Sequence, residues 1–466
     1  MAKKVLPVKK GERVKLDIDG LTHNGDGVGR YCGLAVFVPG SVPGDSIEAL
    51  VVQLKKGYAI GRLVEVLEKS KVRRETDCEF FSSCGGCRLL NVNYREQLRL
   101  KTALVRDSLT RIAGLEDVPV RETLVMDCPW HYRNKAHFQV EEGANGCSLG
   151  FYEEGTHNLS AFFRGEGNSG CLLVDRDLNR VASAVEDLLN RHGRDLYRSP
   201  GRKFFRHVVL RKGYLTGEIM AVLVTGSGDW PGQRAFVEQL SSREPGITSV
   251  IRNINDGPRG IIMGSESRVL TGRGYITDQL EDLKFIISPS SFYQINSSQT
   301  LVLYRKALEY SGLEVRKGLT VVDAYSGVGT IALFMARHAK KVYGLEVVRE
   351  AVKDAGRNAE LNKIDNVEFH FGEVEKLLPS MAARGLRPDV VVLDPPRKGC
   401  RPEVLDAVAE MGTPTLVYVS CDPGTLARDL GHLSGRGYCV EEVQPVDMFP
   451  WTHHIESIIL LQRRNT

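Results

Sequence analysis

From about residue 290 onward this 466-residue chain alternates short apolar runs with amphipathic ones, and that rhythm limits its fold more than any other feature. Strands are expected at 320–324, 341–345, 367–371, 389–393, 415–420, 438–445 and 455–462. Helices are expected between them at 329–337, 348–362 and 402–411. Strand and helix in alternation produce a doubly wound α/β sheet, because each crossover helix must cover one face of a parallel sheet.

In such sheets ligands sit at the carboxyl ends of the strands. The first strand, Val321-Val322-Asp323, runs into Ala324-Tyr325-Ser326-Gly327-Val328-Gly329-Thr330 and then an apolar helix. Gly327 and Gly329 would let the backbone approach a ligand closely. Asp323 closes this strand, and Glu346 closes the next, 23 residues later, where a carboxylate can bond a ribose hydroxyl. No Walker-type lysine follows, so a nucleoside without a triphosphate fits, and S-adenosylmethionine is such a ligand. The fourth strand ends in Asp394-Pro395-Pro396-Arg397-Lys398, which should bring Asp394 to the crevice. The fifth ends in Ser420-Cys421-Asp422-Pro423, placing a potential thiolate nucleophile there. Glu456 opens the last strand, where a carboxylate can serve as a general base.

The front of the chain is different. Short strands expected at 13–18, 35–38, 46–52 and 59–66 are separated by glycines, including Gly25, Gly27 and Gly29, which suggests a small barrel. Residues 1–110 hold 19 Lys and Arg against 13 Asp and Glu, a balance of +6, whereas the rest sums to −2. A basic appendage on a near-neutral body points to a polyanion such as RNA. An amphipathic helix at about 94–112 should bury Leu98, Val105, Leu109 and Ile112 and leave Arg95, Arg99, Lys101 and Arg106 in solvent. From 115 to 285 the pattern is mixed, with strands expected at 136–140, 207–211 and 219–224. No apolar run reaches the roughly 18 residues of a membrane helix. The first residues lack the apolar segment of a signal peptide, so ten cysteines suggest a cytoplasmic protein with reduced thiols. Three of them, Cys78, Cys84 and Cys87 in Cys-x5-Cys-Gly-Gly-Cys, can converge on zinc or on an iron–sulfur cluster.

Taken together, Phe292-Tyr293-Gln294-Ile295-Asn296, Asp323–Thr330, Asp394–Lys398, Ser420–Pro423 and His454-Ile455-Glu456 resemble the RNA (uracil-5-)-methyltransferase family, makers of 5-methyluridine. Asn24-Gly25-Asp26-Gly27-Val28-Gly29 resembles a TRAM domain, and Tyr132-Arg133-Asn134-Lys135 is also family-like. The resemblance implies a TRAM-like barrel at 1–68, a mixed central domain with the cysteine loop at 69–290, and a Rossmann-like methyltransferase domain at 291–466. It implies that Cys421 adds to uracil C6 and that Glu456 removes the C5 proton. Gln294, Tyr325, Glu346 and Asp394 match the family's S-adenosylmethionine contacts, with Asp323, Gly327, Gly329 and Thr330 in the same cradle. Thr330 and Asp422 stand where other members carry Asn. Cys171 matches the position of a fourth ligand beside Cys78, Cys84 and Cys87, which implies a 4Fe–4S cluster. The expected substrate is ribosomal RNA, with transfer RNA as the alternative and a monomer as the working form. Two competing readings are a methyltransferase acting on cytosine C5 or an exocyclic amine, and an RNA-binding protein whose methylase domain is a relic.

Overall fold

The computed structural model describes residues 6–143, 146–163, 170–192, 203–258 and 260–464. Five strands, β1 (Arg13–Leu21), β2 (Gly27–Tyr31), β3 (Leu34–Val38), β4 (Ser46–Leu54) and β5 (Tyr58–Glu68), close into a barrel in the order β1-β2-β3-β5-β4. Alternation fills it: Val14, Leu16, Ile18, Val36, Val38, Ile47, Ala49 and Val51 point inward and are buried. β2 corrects the sequence reading, which took Gly25 to Gly29 as punctuation. A Cβ on Gly29 would lie 2.9 Å from the Asp17 carbonyl oxygen, so this strand is glycine-rich because its neighbour crosses closely.

The helix α1 (Tyr94–Ser108) follows, continued by a single wide turn over Leu109–Ala113. Its inner face is Gln97, Lys101, Thr102 and Val105, with Leu109 one turn on. Lys101 therefore does not face solvent as its charge suggested. It is 2% exposed and bonds the wholly buried Asp447 at 2.5 Å. Ile112, expected inside, is 56% exposed because the wide turn rotates it outward.

A seven-stranded sheet comes next. Its members are β6 (Lys135–Gly143), β7 (Gly146–Tyr152), β8 (Leu159–Ala161), β9 (Phe205–Lys212), β10 (Ile219–Thr225), β11 (Ile247–Ile254) and β12 (Glu266–Gly272), ordered β12-β11-β10-β9-β6-β7-β8. Helices α2 (Arg176–His192) and α3 (Gln233–Arg243) supply apolar side chains to one core on this sheet, among them Leu178, Val185 and Phe236. Val209, Met220, Val222 and Ile251 join a second core that reaches into the C-terminal part. A ribbon of β13 (Ile276–Leu280) and β14 (Leu283–Ile287) and helix α4 (Ser297–Ser311) bridge the two.

The C-terminal sheet contains β15 (Thr320–Ala324), β16 (Lys341–Glu346), β17 (Val367–Phe371), β18 (Val390–Leu393), β19 (Thr415–Ser420), β20 (Tyr438–Val446) and β21 (Glu456–Arg463). Its order is β17-β16-β15-β18-β19-β21-β20, parallel as far as β19, with β21 antiparallel beside it. Helices α5 (Thr330–Ala336), α6 (Arg349–Leu361), α7 (Val374–Ala383), α8 (Pro402–Glu410) and α9 (Pro423–Ser434) complete it. The doubly wound expectation holds, and the order turns back at β15, the switch point where crevices open. Among the described residues no helix is long and apolar enough to cross a membrane.

Candidate active site

The carboxyl end of β15 turns through Tyr325 to Gly329 into α5. Tyr325, Gly327 and Gly329 all adopt positive φ, at 69°, 56° and 83°. For Gly329 the reason is packing as well as conformation: a Cβ there would meet Phe369 Cζ at 2.7 Å. Around Gly327 such an atom would meet nothing within 4 Å, so the turn opens onto free space. Glu346, at the end of β16, accepts the Gly327 N–H at 2.9 Å and the Val348 N–H at 2.7 Å, which fixes its carboxylate beside the turn. Thr330 shares a 2.8 Å hydrogen bond with the Tyr304 hydroxyl of α4.

Polar groups at this strand end lack side-chain partners. Both Asp323 carboxyl oxygens and the Ser326 hydroxyl are buried with none among the described residues, whereas the Tyr325 hydroxyl meets the Cys400 thiol. Burial pushes the Asp323 carboxyl well up, and Asp394 and Glu346 push the same way against a small offset from the Ala332 backbone. Unpaired buried polar atoms in a strand-end crevice are the mark of a site that a polar ligand completes.

Beside this cradle, β18, β19 and β21 deliver the reactive groups. Leu393 pairs with Tyr418 and Ser420 with Ser457, so Asp394, Cys421 and Glu456 emerge at one edge from three neighbouring strands. Burial raises Asp394 to about 7. Burial, then Asp394, pushes Glu456 well above the usual carboxylate range, and Arg397 opposes this. Burial and the Glu456 and Asp394 carboxyls raise the Cys421 thiol to about 12, again against Arg397. One thiol and two carboxyls thus share a pocket where few of them ionise at once. Asp422 has a structural task that sequence left open: it caps α9 by accepting the Thr425 N–H at 2.8 Å.

Gln294 lies buried in the loop before α4, held by a bond of 3.0 Å from the Asn134 amide to its backbone oxygen. Among the described residues no hydrogen bond joins its side chain to the other site residues. The segment 447–455 leading into Glu456 is clamped from several directions, and sequence reading did not find these clamps. Tyr132 donates to the Pro450 carbonyl at 3.0 Å, Asn296 to Met448 at 2.9 Å, and Trp451 to Pro129 at 2.8 Å.

Cys78, Cys84, Cys87 and Cys171 gather near Trp451 and Tyr132: Cys78, Cys87 and Cys171 pack on that apolar group. Burial raises the Cys78, Cys84 and Cys87 thiols, and each is raised further by Cys171, while Arg133 opposes this at Cys84 and Cys87. Among the described residues no three Cys, His, Asp or Glu side chains stand close enough to grip a single metal ion.

Residues 261–464 match the family model for tRNA (Uracil-5-)-methyltransferase, and residues 7–64 match the TRAM domain. An RNA methyltransferase of Halalkalibacterium halodurans, itself uncharacterized, is 44% identical over 100% of both chains. A second, from Clostridium tetani, is 41% identical over 98% of both. Among solved structures, the Pyrococcus abyssi tRNA (uracil-54, C5)-methyltransferase in complex with S-adenosyl-L-homocysteine superposes with a TM-score of 0.72 at 27% identity, covering 96% of this chain and 100% of its own. A strand-end cradle beside clustered acid and thiol groups, a TRAM barrel in front, and full-length relatives of this identity lead to one conclusion: the chain belongs to the RNA (uracil-5-)-methyltransferase family and is an RNA methyltransferase.

Proposed function

We propose that this enzyme methylates uracil C5 in ribosomal RNA to give 5-methyluridine, with Cys421 as nucleophile and Glu456 as base. The observation that carries the proposal is the convergence of Cys421, Asp394 and Glu456 from β19, β18 and β21 beside the Gly327 turn. Uracil C5 is too weakly nucleophilic to accept a methyl group unaided. Attack of the Cys421 sulfur on C6 forms an S–C6 bond and moves the C5–C6 π pair toward O4, creating an enolate nucleophilic at C5. S-adenosylmethionine, when bound, supplies the electrophilic methyl on its sulfonium sulfur. Glu456, in its ionised form, then takes the C5 proton, and the returning electron pair breaks S–C6 and frees the sulfur, which recovers its proton from Asp394. A carboxylate whose proton affinity is raised is a stronger base than a solvated one, which suits Glu456 to this step. Because Cys421 is protonated at rest, its proton must first leave, and Asp394, poised near 7, is the acceptor at hand.

The cofactor cradle is assigned to Asp323, Tyr325, Gly327, Gly329, Thr330, Glu346, Asp394 and Gln294. The orphaned Asp323 oxygens and the open space over Gly327 fit a polar nucleoside ligand. Cys78, Cys84, Cys87 and Cys171 are assigned to a 4Fe–4S cluster. What supports the reading is that the Cys78, Cys84 and Cys171 sulfurs all act on Cys87, and an all-cysteine donor set suits such a cluster. That core would draw two chain segments together and takes no part in methyl transfer, which moves no electrons in net. Transfer RNA is the second reading, favoured by the Pyrococcus abyssi structure. Mapping 5-methyluridine in the cell's ribosomal and transfer RNA, with and without this protein, decides between them. Loss confined to ribosomal RNA supports the first reading, loss confined to transfer RNA supports the second, and no loss in either refutes both.

A further inference from the structure

A cavity of about 310 Å³ opens beside β6, lined among others by Arg133, Lys135, His137, Phe151 and Ile295. The two-residue repeat of the strand sets Lys135, His137 and Gln139 on one side, and Arg133 lies just before it. On the adjacent β9, Arg211 stands opposite Lys135 and His207 opposite Gln139. The result is a patch of Arg, Lys and His side chains on two strands.

Few of these groups meet an acid: Asp354 acts on Arg211 from a distance, and Arg133 meets Tyr132 and the Cys87 and Cys171 thiols. Arg133 Nε, His137 Nε2, Gln139 Oε1 and His207 Nδ1 are buried without a hydrogen-bond partner among the described residues. Arg211 donates to the Ser288, Pro289 and Ser291 carbonyls at 2.8, 3.3 and 2.7 Å, all neutral acceptors. Lys135 makes no ion pair among the described residues. Burial pushes it down to about 7, and its charged neighbour Arg211 pushes the same way. His137 falls to about 3 through burial, reinforced by Lys135, Arg211 and His207. Only basic neighbours act on Lys135 and His137, which weakens the fold, and a fold retains such a pair where an anion offsets the cost on arrival. Ile295 of its lining follows Gln294, the residue assigned above to the cofactor cradle.

We propose that this cavity is a phosphate subsite that takes one backbone phosphate of the RNA substrate beside the nucleotide entering the site. The proposal rests on the RNA methyltransferase assignment and not on the uracil chemistry. Lys135 and His137 would donate to the phosphate oxygens. The carboxylate of the methyl donor is the other anion with matching chemistry.

The test uses the full chain with Lys135→Ala, His137→Ala and Lys135→Arg, an oligouridylate as probe, and S-adenosylhomocysteine as control. Lys135→Ala should weaken oligouridylate binding about tenfold at low salt and make the slope of log K against log salt shallower by about 0.7, the loss of one phosphate contact. His137→Ala should weaken it less, and Lys135→Arg should keep both affinity and slope. S-adenosylhomocysteine affinity should not change, and thermal stability should hold or rise as an unmatched buried cation is removed. Unaltered oligouridylate affinity and slope would overturn the proposal. So would a matching loss of S-adenosylhomocysteine affinity, which would give the cavity to the cofactor's carboxylate, or a fall in stability, which would make Lys135 a structural residue. A protein that binds oligouridylate through Lys135 yet forms no Cys421 adduct would refute the uracil chemistry and leave this subsite standing.

Discussion

Replacing Lys101 with Met should destabilise the region around the active site far more than removal of a surface charge. Lys101 is 2% exposed and Asp447 wholly buried, and they bond at 2.5 Å. Tyr94 donates to the other Asp447 oxygen at 2.8 Å. Lys101→Met leaves that carboxylate buried with one phenol as partner, and removing one member of a buried pair costs about 3–5 kcal/mol. Replacing both members, Lys101→Met with Asp447→Asn, should recover most of that loss, because the desolvation penalty leaves with the charges. The assay is tryptophan fluorescence in urea. Trp130 and Trp451 stack with ring centres 4.3 Å apart, and the Trp451 backbone N–H donates to Gln97 Oε1 on the same helix as Lys101, so they report this neighbourhood. At a dependence of roughly 1–3 kcal/mol per molar urea, the midpoint should fall by more than about 1 M. Methyl transfer should fall with it, since Asp447 begins the segment that ends at Glu456. S-adenosylhomocysteine binding should persist, because Glu346 and the Gly327 turn belong to other strands. A loss under about 1 kcal/mol, the range of solvated pairs, would refute the reasoning.

Other consequences can be checked separately. Because Cys421 is raised to about 12, its alkylation by iodoacetamide, read by peptide mass spectrometry, should be negligible at pH 7 and rise about tenfold per pH unit above it. Asp394→Asn should quicken it above pH 7, since removing a negative neighbour lowers the thiol's proton affinity; a flat profile contradicts this. On the barrel, Lys55, Lys56 and Arg62 are exposed, and changing all three to Ala should make the salt dependence of RNA binding shallower by about 2 units. An unchanged slope would make the barrel a packing element. Protein purified without oxygen should carry about four iron and four sulfide per chain, lost on changing Cys78, Cys84, Cys87 or Cys171 to Ser. Stoichiometric zinc without sulfide would contradict the cluster assignment.

The C-terminal strands were legible because a buried parallel sheet needs continuous apolar runs, and Val321-Val322 and Val390-Val391-Val392 are such runs ending in acids. Asp323, Glu346, Asp394 and Cys421 were legible for the same reason: each closes a run and so lands at the strand ends. Less was visible where a local signal stood alone. α9 begins with a Pro and an Asp cap, a start signal that stands without a long apolar period behind it. α2 carries a helical period in Leu178, Val181, Ala182, Val185 and Leu189, yet lies in a stretch otherwise broken by glycines. Lys101 was read as solvated because its partner is 346 residues away, and no local pattern reveals such a pairing. The basic patch on β6 and β9 is invisible likewise, since it exists only once β9 is placed beside β6.

The central claim, that Cys421 is the nucleophile of a uracil C5 methylation, is tested most directly with RNA containing 5-fluorouridine. Fluorine at C5 cannot leave as a proton, so after methyl transfer the enzyme cannot expel its sulfur. Incubation with S-adenosylmethionine should give a denaturation-stable protein–RNA complex whose cross-linked peptide carries Cys421, and Cys421→Ser should give none. A stable complex formed equally by Cys421→Ser, or linked through any other residue, would contradict the account.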